Sequence, residues 1–274
     1  MAYWYIPFQS RNGNDYEVRI GGLTGNSNVR LTGAAQPFVT QEDDDRDMFK
    51  PVRTQTGYIR IVDTGSGGFD WHDLIPSSAV ARPVTLWKKR TAITWDLKWQ
   101  GFIRPETFSG TFREMPQERE FPVFCPFLAM EAFDVTSSNT STQRNFAWLI
   151  LYLLQHFFTI DIQTFYFSRP QDVVGWLRCK FQWQNFFDDE GEPKYNALQL
   201  LEEICKFWGW TARIDGNCFY FLQPDDTSAG GLGEIEFAEM DDIADGQAMS
   251  LTPISWSSAT IASLPVFAST QTEE

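Results

Sequence analysis

Histidine is scarce in this 274-residue chain: only His72 and His156 occur. A nucleophilic triad needs a base set beside a serine or cysteine and oriented by an acid. His72, in "FDWHDLIP", has Asp70 and Asp73 close by but no G-x-S-x-G partner, and His156 ends an apolar helical run. Both are read as structural. No G-x-x-x-x-G-K-[ST] phosphate loop is present. "GGLTG" (Gly21–Gly25) opens no helix, and "TGSGG" (Thr64–Gly68) reads as a glycine-rich turn. "DDIADG" places Ile243 where a calcium loop needs an oxygen ligand. The four cysteines, Cys125, Cys179, Cys205 and Cys218, form no C-x-x-C and sit among apolar neighbours. They read as reduced core thiols, with Cys205 and Cys218 the one pair close enough in the chain to consider. No cofactor, no metal and no enzymatic activity are expected.

Long apolar runs are also missing. "FAWLILYLLQHFF" (Phe146–Phe158) has 13 residues, short of the ~20 a spanning helix needs, so a buried helix and no membrane insertion are expected. "MAYWYIPFQS" has neither a basic start nor an apolar run, so no secretory leader is expected. Basic residues are few: 22 Lys and Arg against 36 Asp and Glu, a net charge of −14. That balance disfavours nonspecific attraction to nucleic acid or anionic membrane, and no specific nucleic-acid partner is expected. The one basic cluster, Lys88–Arg90, reads as a solvated turn.

What the chain has is aromatic mass, 16% of residues with 24 Phe and 11 Trp, inside a 43% hydrophobic composition. Aromatics suit pleated, half-buried surfaces and interfaces. Over 1–125 short strand candidates recur between Gly, Pro, Asn and Asp clusters: "YWYIPF" and "DYEVRI" around a polar turn, then "GYIRIVD", "PVTLWKK", "ITWDLKWQGFI" and "REFPVF". In "GYIRIVD", Tyr58, Arg60 and Val62 alternate with Ile59 and Ile61. This punctuation indicates a β-sandwich or barrel. The block Glu42–Asp47 has five acids in six positions. It reads as a solvated loop or, through Asp43, Asp44, Asp45 and Asp47, as an electrostatic contact for a neighbouring subunit. Trp87, Trp95 and Trp99 are core residues or sugar platforms; four-residue spacing would put Trp95 and Trp99 on one strand face.

The middle of the chain changes to α/β. Helices are expected near 144–157 and 195–208, each followed by a strand or hairpin. In the second, Leu201, Ile204 and Trp208 fall on one apolar face with Ala197 and Cys205. Gly209 sits where a helix end wants a left-handed residue, and Gly216 where a tight hairpin needs positive φ. The expected fold is α+β and predominantly β. A barrel or sandwich-like domain (1–125) is followed by an α/β domain (126–223), a linker (224–233) and a further β segment (234–274).

Two stretches carry a resemblance. "FVTQEDDDRDMFKPVRTQTGYIRIVD" resembles the opening region of tail proteins encoded by phages and prophages of gut bacteria. "ALQLLEEICKFWGWTARIDGNCFYFLQP" is similar to the helix-hairpin of tail-tip hub proteins. The resemblance implies a virion structural subunit with tube-like β domains around an α/β insertion, 234–274 beginning the second tube domain. It implies self-assembly as a trimer in preference to a hexamer, contacts with other phage tail proteins, and synthesis in the bacterial cytoplasm. A distal tail ring protein, a carbohydrate-binding adhesin and a cell-wall hydrolase are the alternatives.

Overall fold

The computed structural model describes residues 2–42, 50–65, 69–105, 115–135, 143–155, 164–168, 175–223, 232–236, 240 and 244–245. The first part of the chain supplies β1 (Trp4–Gln9), β2 (Asp15–Ile20), β3 (Val29–Arg30), β4 (Gly33–Glu42), β5 (Gln55–Asp63), β6 (Pro83–Lys89), β7 (Trp95–Ile103) and β8 (Gln117–Phe124). They form one sheet in the order β3-β1-β2-β6-β7-β8-β5-β4, antiparallel except for β1–β3. Period-two alternation decides which side each residue faces. On β5, Ile59 and Ile61 are buried while Tyr58 is exposed.

The inward residues include Trp4, Ile6, Val18, Ile20, Ile59, Val84, Phe121 and Val123 and make a single core. Strands at opposite ends of an eight-stranded sheet reach one core only if the sheet curls. The chain itself spans the gap: Leu31 N donates to Tyr5 O on β1, and Val62 N on β5 donates to Thr32 O. β3 and β4 nevertheless remain edge strands, so the fold is open and sandwich-like rather than a closed barrel. Pro37 lies in the irregular half of β4, where it removes a donor from a strand edge.

The second part begins with α1 (Pro126–Ala129), then β9 (Gln143–Asn145), α2 (Phe146–Gln155), β10 (Thr164–Ser168), β11 (Lys180–Gln182), α3 (Ala197–Trp208), β12 (Thr211–Asp215), β13 (Cys218–Leu222) and β14 (Leu232–Glu236). A four-stranded mixed sheet runs β12-β13-β10-β14, with β10 and β13 parallel, and β9 pairs with β11. Phe165, Phe167, Phe219 and Phe221 share a core with Leu149, Leu153, Leu201 and Ile204 of the helices, the usual helix-on-sheet layering. The architecture is thus α+β and predominantly β. Leu232–Glu236, which the sequence assigns in part to the linker and in part to a further β segment, runs antiparallel to β10 as an edge of this same sheet. The rest of 234–274 lies outside the described residues, apart from 240 and 244–245.

α3 shows how local sequence sets an element. Asn196 accepts from Gln199 N at 2.9 Å while its own N–H donates to the Gln199 side chain at 3.0 Å, a capping box. The helix stops at Gly209, whose φ of 68° is left-handed. A Cβ at Gly209 would meet nothing within 4 Å. Gly209→Val therefore costs backbone strain alone, ~1–2 kcal/mol, and should give a modest drop in denaturation midpoint; an unchanged midpoint would refute this account of the helix end.

The two parts share a junction. Arg53 N donates to Ala212 O and Ala212 N to Pro51 O, which ties the approach to β5 to the edge of β12. Gln100 of β7 donates from Nε2 to Gly216 O at 2.6 Å in a buried contact at the tip of the β12–β13 hairpin. Phe102 and Phe124, on strands of the first sheet, are buried in the second core.

Candidate interaction surface

β2, β6 and β7 turn Glu17, Arg19, Trp87 and Trp95 to the outside of the first sheet, because their alternate neighbours Val18, Leu86 and Trp99 pack inward. The Arg19 guanidinium lies 5.2 Å from the ring centre of Tyr3, 4.8 Å from Trp87 and 5.8 Å from Trp95. Its Nε is 2.6 Å from Glu17 Oε1. Trp87 Nε1 donates to Thr85 Oγ1 at 2.8 Å, which fixes the indole. A cation held over aromatic faces gains from the ring quadrupole and is immobilised. The site is therefore a rigid wall of aromatic rings around a paired arginine.

Sequence spacing misplaces one of these tryptophans. Leu86 pairs with Trp99 but Trp87 pairs with Leu97, so Lys98 is the extra residue of a β-bulge. A bulge breaks the alternation and sends Trp99 to the opposite face. Trp99 is accordingly buried against Phe38, with ring centres 5.2 Å apart. Arg19 and Tyr3 carry no sequence signal of their own, since only the strand order brings them beside Trp87.

The charged residues near this wall divide between the two faces: Lys89 follows Trp87 and Trp95 on the outside, while Lys88 and its cross-strand partner Asp96 fall in the inward row of Leu86 and Val18. Lys89 is 3.7 Å from Asp15, Arg90 4.0 Å from Asp96 and Lys98 3.9 Å from Asp96, all with well-exposed side chains. Lys88 has no ion pair among the described residues.

A second aromatic face lies on the four-stranded sheet, opposite the helices. The cross-strand row Arg213–Tyr220–Tyr166–Glu234 runs over all four strands, with the two phenol rings stacked at 4.9 Å. Burial first, then the Glu234 charge, pushes the Tyr166 phenol up to about 12. Tyr220 is raised by the same burial and by the neighbouring Cys218 and Asp215. These hydroxyls stay protonated at neutral pH and serve as hydrogen-bonding groups, not bases.

The other residues singled out in the sequence are placed as follows. Asp43, Asp44, Asp45 and Asp47 lie outside the described residues; Glu42, at the head of that block, pairs with Arg213 at 2.8 Å. Leu201 and Ile204 are buried. Trp208, expected on the buried face, is only half-buried: it stacks on Trp176 at 5.2 Å and meets Phe146 edge-on, and its indole nitrogen has no partner among the described residues. It ends α3 at the rim of the core, where the neighbouring aromatics are themselves partly exposed. Phe207 beside it is 69% exposed. All four thiols are free. Cys205 is buried in the helix-side core, and Cys218 lies on the tyrosine face, so the sheet separates them. His72 is exposed, its Nδ1 2.6 Å from Asp70, whose carboxylate caps the short helical turn Trp71–Leu74. The His72 backbone N–H holds that carboxyl below its ordinary range. Among the described residues no further side chain hydrogen-bonds His72, and none of the helices is long and apolar enough to cross a membrane. A cleft of about 300 Å³ opens at the junction, lined by Arg104, Phe124, Leu128 and Glu131 among others.

No protein-family model matches the chain, and no curated protein and no solved structure is significantly similar to it.

Proposed function

We propose that the chain is a non-enzymatic structural subunit of a phage tail tip, hub-like, which assembles with copies of itself into a ring and docks neighbouring tail proteins in the virion. The observation that carries the reading is the junction. The two stretches that resemble tail proteins, 38–63 and 195–223, lie against each other through the Pro51–Arg53 backbone bonds to Ala212 and the Glu42–Arg213 ion pair. Segments far apart in sequence thus form one continuous element. The aromatic wall around Arg19 adds a surface of the composition that dominates protein interfaces.

A distal tail ring protein is the second reading; it shares the self-assembly and differs in symmetry. The adhesin reading is weaker, because a sugar platform needs an open aromatic face. Arg19 lies over the rings of Trp87 and Trp95, and Trp99 is buried.

Light scattering of the purified chain with negative-stain class averages tests the proposal. A three-fold ring supports the hub and a six-fold ring the distal tail protein. A strict monomer at high concentration, together with absence from purified tails, overturns both.

A further inference from the structure

We infer that the aromatic ledge at the end of α3, around Phe207, is the docking site for this chain's own segment 246–274, seated through Ile254 and Trp256. This docking concerns the single subunit and does not depend on ring assembly.

The ledge is where an apolar stripe outruns its cover. Leu200, Ile204 and Phe207 recur at i, i+4 and i+7 on one face of α3. The first two are buried, whereas Phe207 is 69% exposed. Its ring stacks on Phe146 at 5.7 Å and meets Trp208 edge-on at 4.8 Å. Phe146 in turn lies 5.3 Å from Phe181, and Trp208 stacks on Trp176. None of these five rings is fully buried. A contiguous exposed aromatic patch marks a contact site.

The path of the chain indicates the occupant. Met240 is buried in the helix-side core, and Ala244 packs against it. Asn145 fixes that point: its Oδ1 accepts from Trp148 N at 2.8 Å at the start of α2, and its Nδ2 donates to Ala244 O at 3.1 Å. The residue after Asn145 is Phe146, a ring of the ledge, so the chain passes Asp245 beside it. The run from Asp245 to Ile254 can span about 30 Å when extended, ample for a target that starts at the exit point.

Segment 246–274 lies outside the described residues, and its sequence suits the target. From Gly246 to Thr272 it has no Asp, Glu, Lys or Arg, and "LTPISW" (Leu251–Trp256) carries three large apolar residues. Pro253 disfavours helix at Thr252, and in an extended run Ile254 and Trp256 fall on one side. Without charge, the segment is not repelled by Glu202 and Glu203 of α3, as a second copy carrying −14 is. Tethered at Asp245, it acts at an effective concentration on the order of millimolar, which favours it over a second copy in dilute solution.

Hydrogen exchange of the full chain, followed by mass spectrometry, is the test. Amides of 250–257 should exchange at least about tenfold more slowly than in a peptide of the same sequence, equally at low and high protein concentration. Phe207→Ser should abolish that protection while the amides of 200–205 keep theirs, which shows α3 intact. Ile254→Ser with Trp256→Ser, which leaves α3 untouched, should release the segment. It should also speed exchange several-fold at Gly209 and Trp210, whose amides bond back to Lys206 O and Cys205 O at the open end of the helix. Unprotected 250–257 in the native chain, or protection that survives Phe207→Ser, overturns the inference. Unchanged exchange at Gly209 and Trp210 in the segment variant does the same, and decides the matter if Phe207→Ser disturbs α3. Protection that appears only at high concentration assigns the ledge to a second copy and likewise overturns it.

Discussion

Replacing Gly216 by valine should destabilise the protein by roughly 3 kcal/mol or more, well beyond the loss at Gly209. Both glycines have positive φ, 58° at Gly216 and 68° at Gly209, so both substitutions carry the left-handed strain of an L side chain. Their surroundings separate them. A Cβ at Gly216 would stand 2.5 Å from the carbonyl oxygen of Leu97, backbone that cannot swing aside, whereas Gly209 faces open space. The hairpin tip must then back away from β7. Doing so breaks the buried bond from Gln100 Nε2 to Gly216 O. A buried amide left without its acceptor costs about 1–3 kcal/mol. Urea denaturation of the two variants side by side measures the difference. Equal losses would show that the tip does not press on β7. Gln100→Ala in the native background should reproduce part of the Gly216→Val loss, since it removes the same hydrogen bond without the strain.

What the sequence discloses about these positions follows from the range of each signal. The end of α3 and the turn at Gly216 were legible because their causes are local: an apolar face at helical spacing, a glycine after it, then two β-rich runs around a short polar turn. The capping box at Asn196 and Gln199 is equally local, but an Asn and a Gln three residues apart in a polar stretch do not by themselves mark a helix start. Gln100 as the partner of Gly216 was not legible, because 116 residues separate them and nothing in either neighbourhood names the other. Strand alternation on β7 is reliable only while the ladder is regular. One extra residue at Lys98 reversed it, and no residue type there announces the bulge. The interaction surface divides in the same way. Trp87 and Trp95 stand out in the sequence as large aromatics beside a basic run, but Arg19 and Tyr3 join them only through the order β1-β2-β6-β7. The curling of the first sheet is also non-local: Leu31 and Thr32 bridge towards closure, yet β3 and β4 stay as edge strands, and no local pattern tells an open sandwich from a barrel.

Phe102→Ala should cost about 3–5 kcal/mol, the range for emptying a fully buried aromatic site, and the loss should be felt in both parts of the molecule. Phe102 and Ile103 are neighbours on β7 and point to opposite sides, each with 0% exposure. Ile103 belongs to the core inside the first sheet and Phe102 to the helix-side core, where it packs beside Phe124 with ring centres 6.4 Å apart. One strand thus serves two cores, and a cavity on one side loosens the backbone that positions side chains on the other. Hydrogen exchange separates shared from independent stability. If β7 couples the cores, Phe102→Ala lowers protection at Ile59 and Ile61 of β5 as well as at Phe219 and Phe221 of β13. Protection lost only on β13 would mean that the first sheet stands by itself, with Phe102 an anchor for the α/β layer and not a link between the two cores.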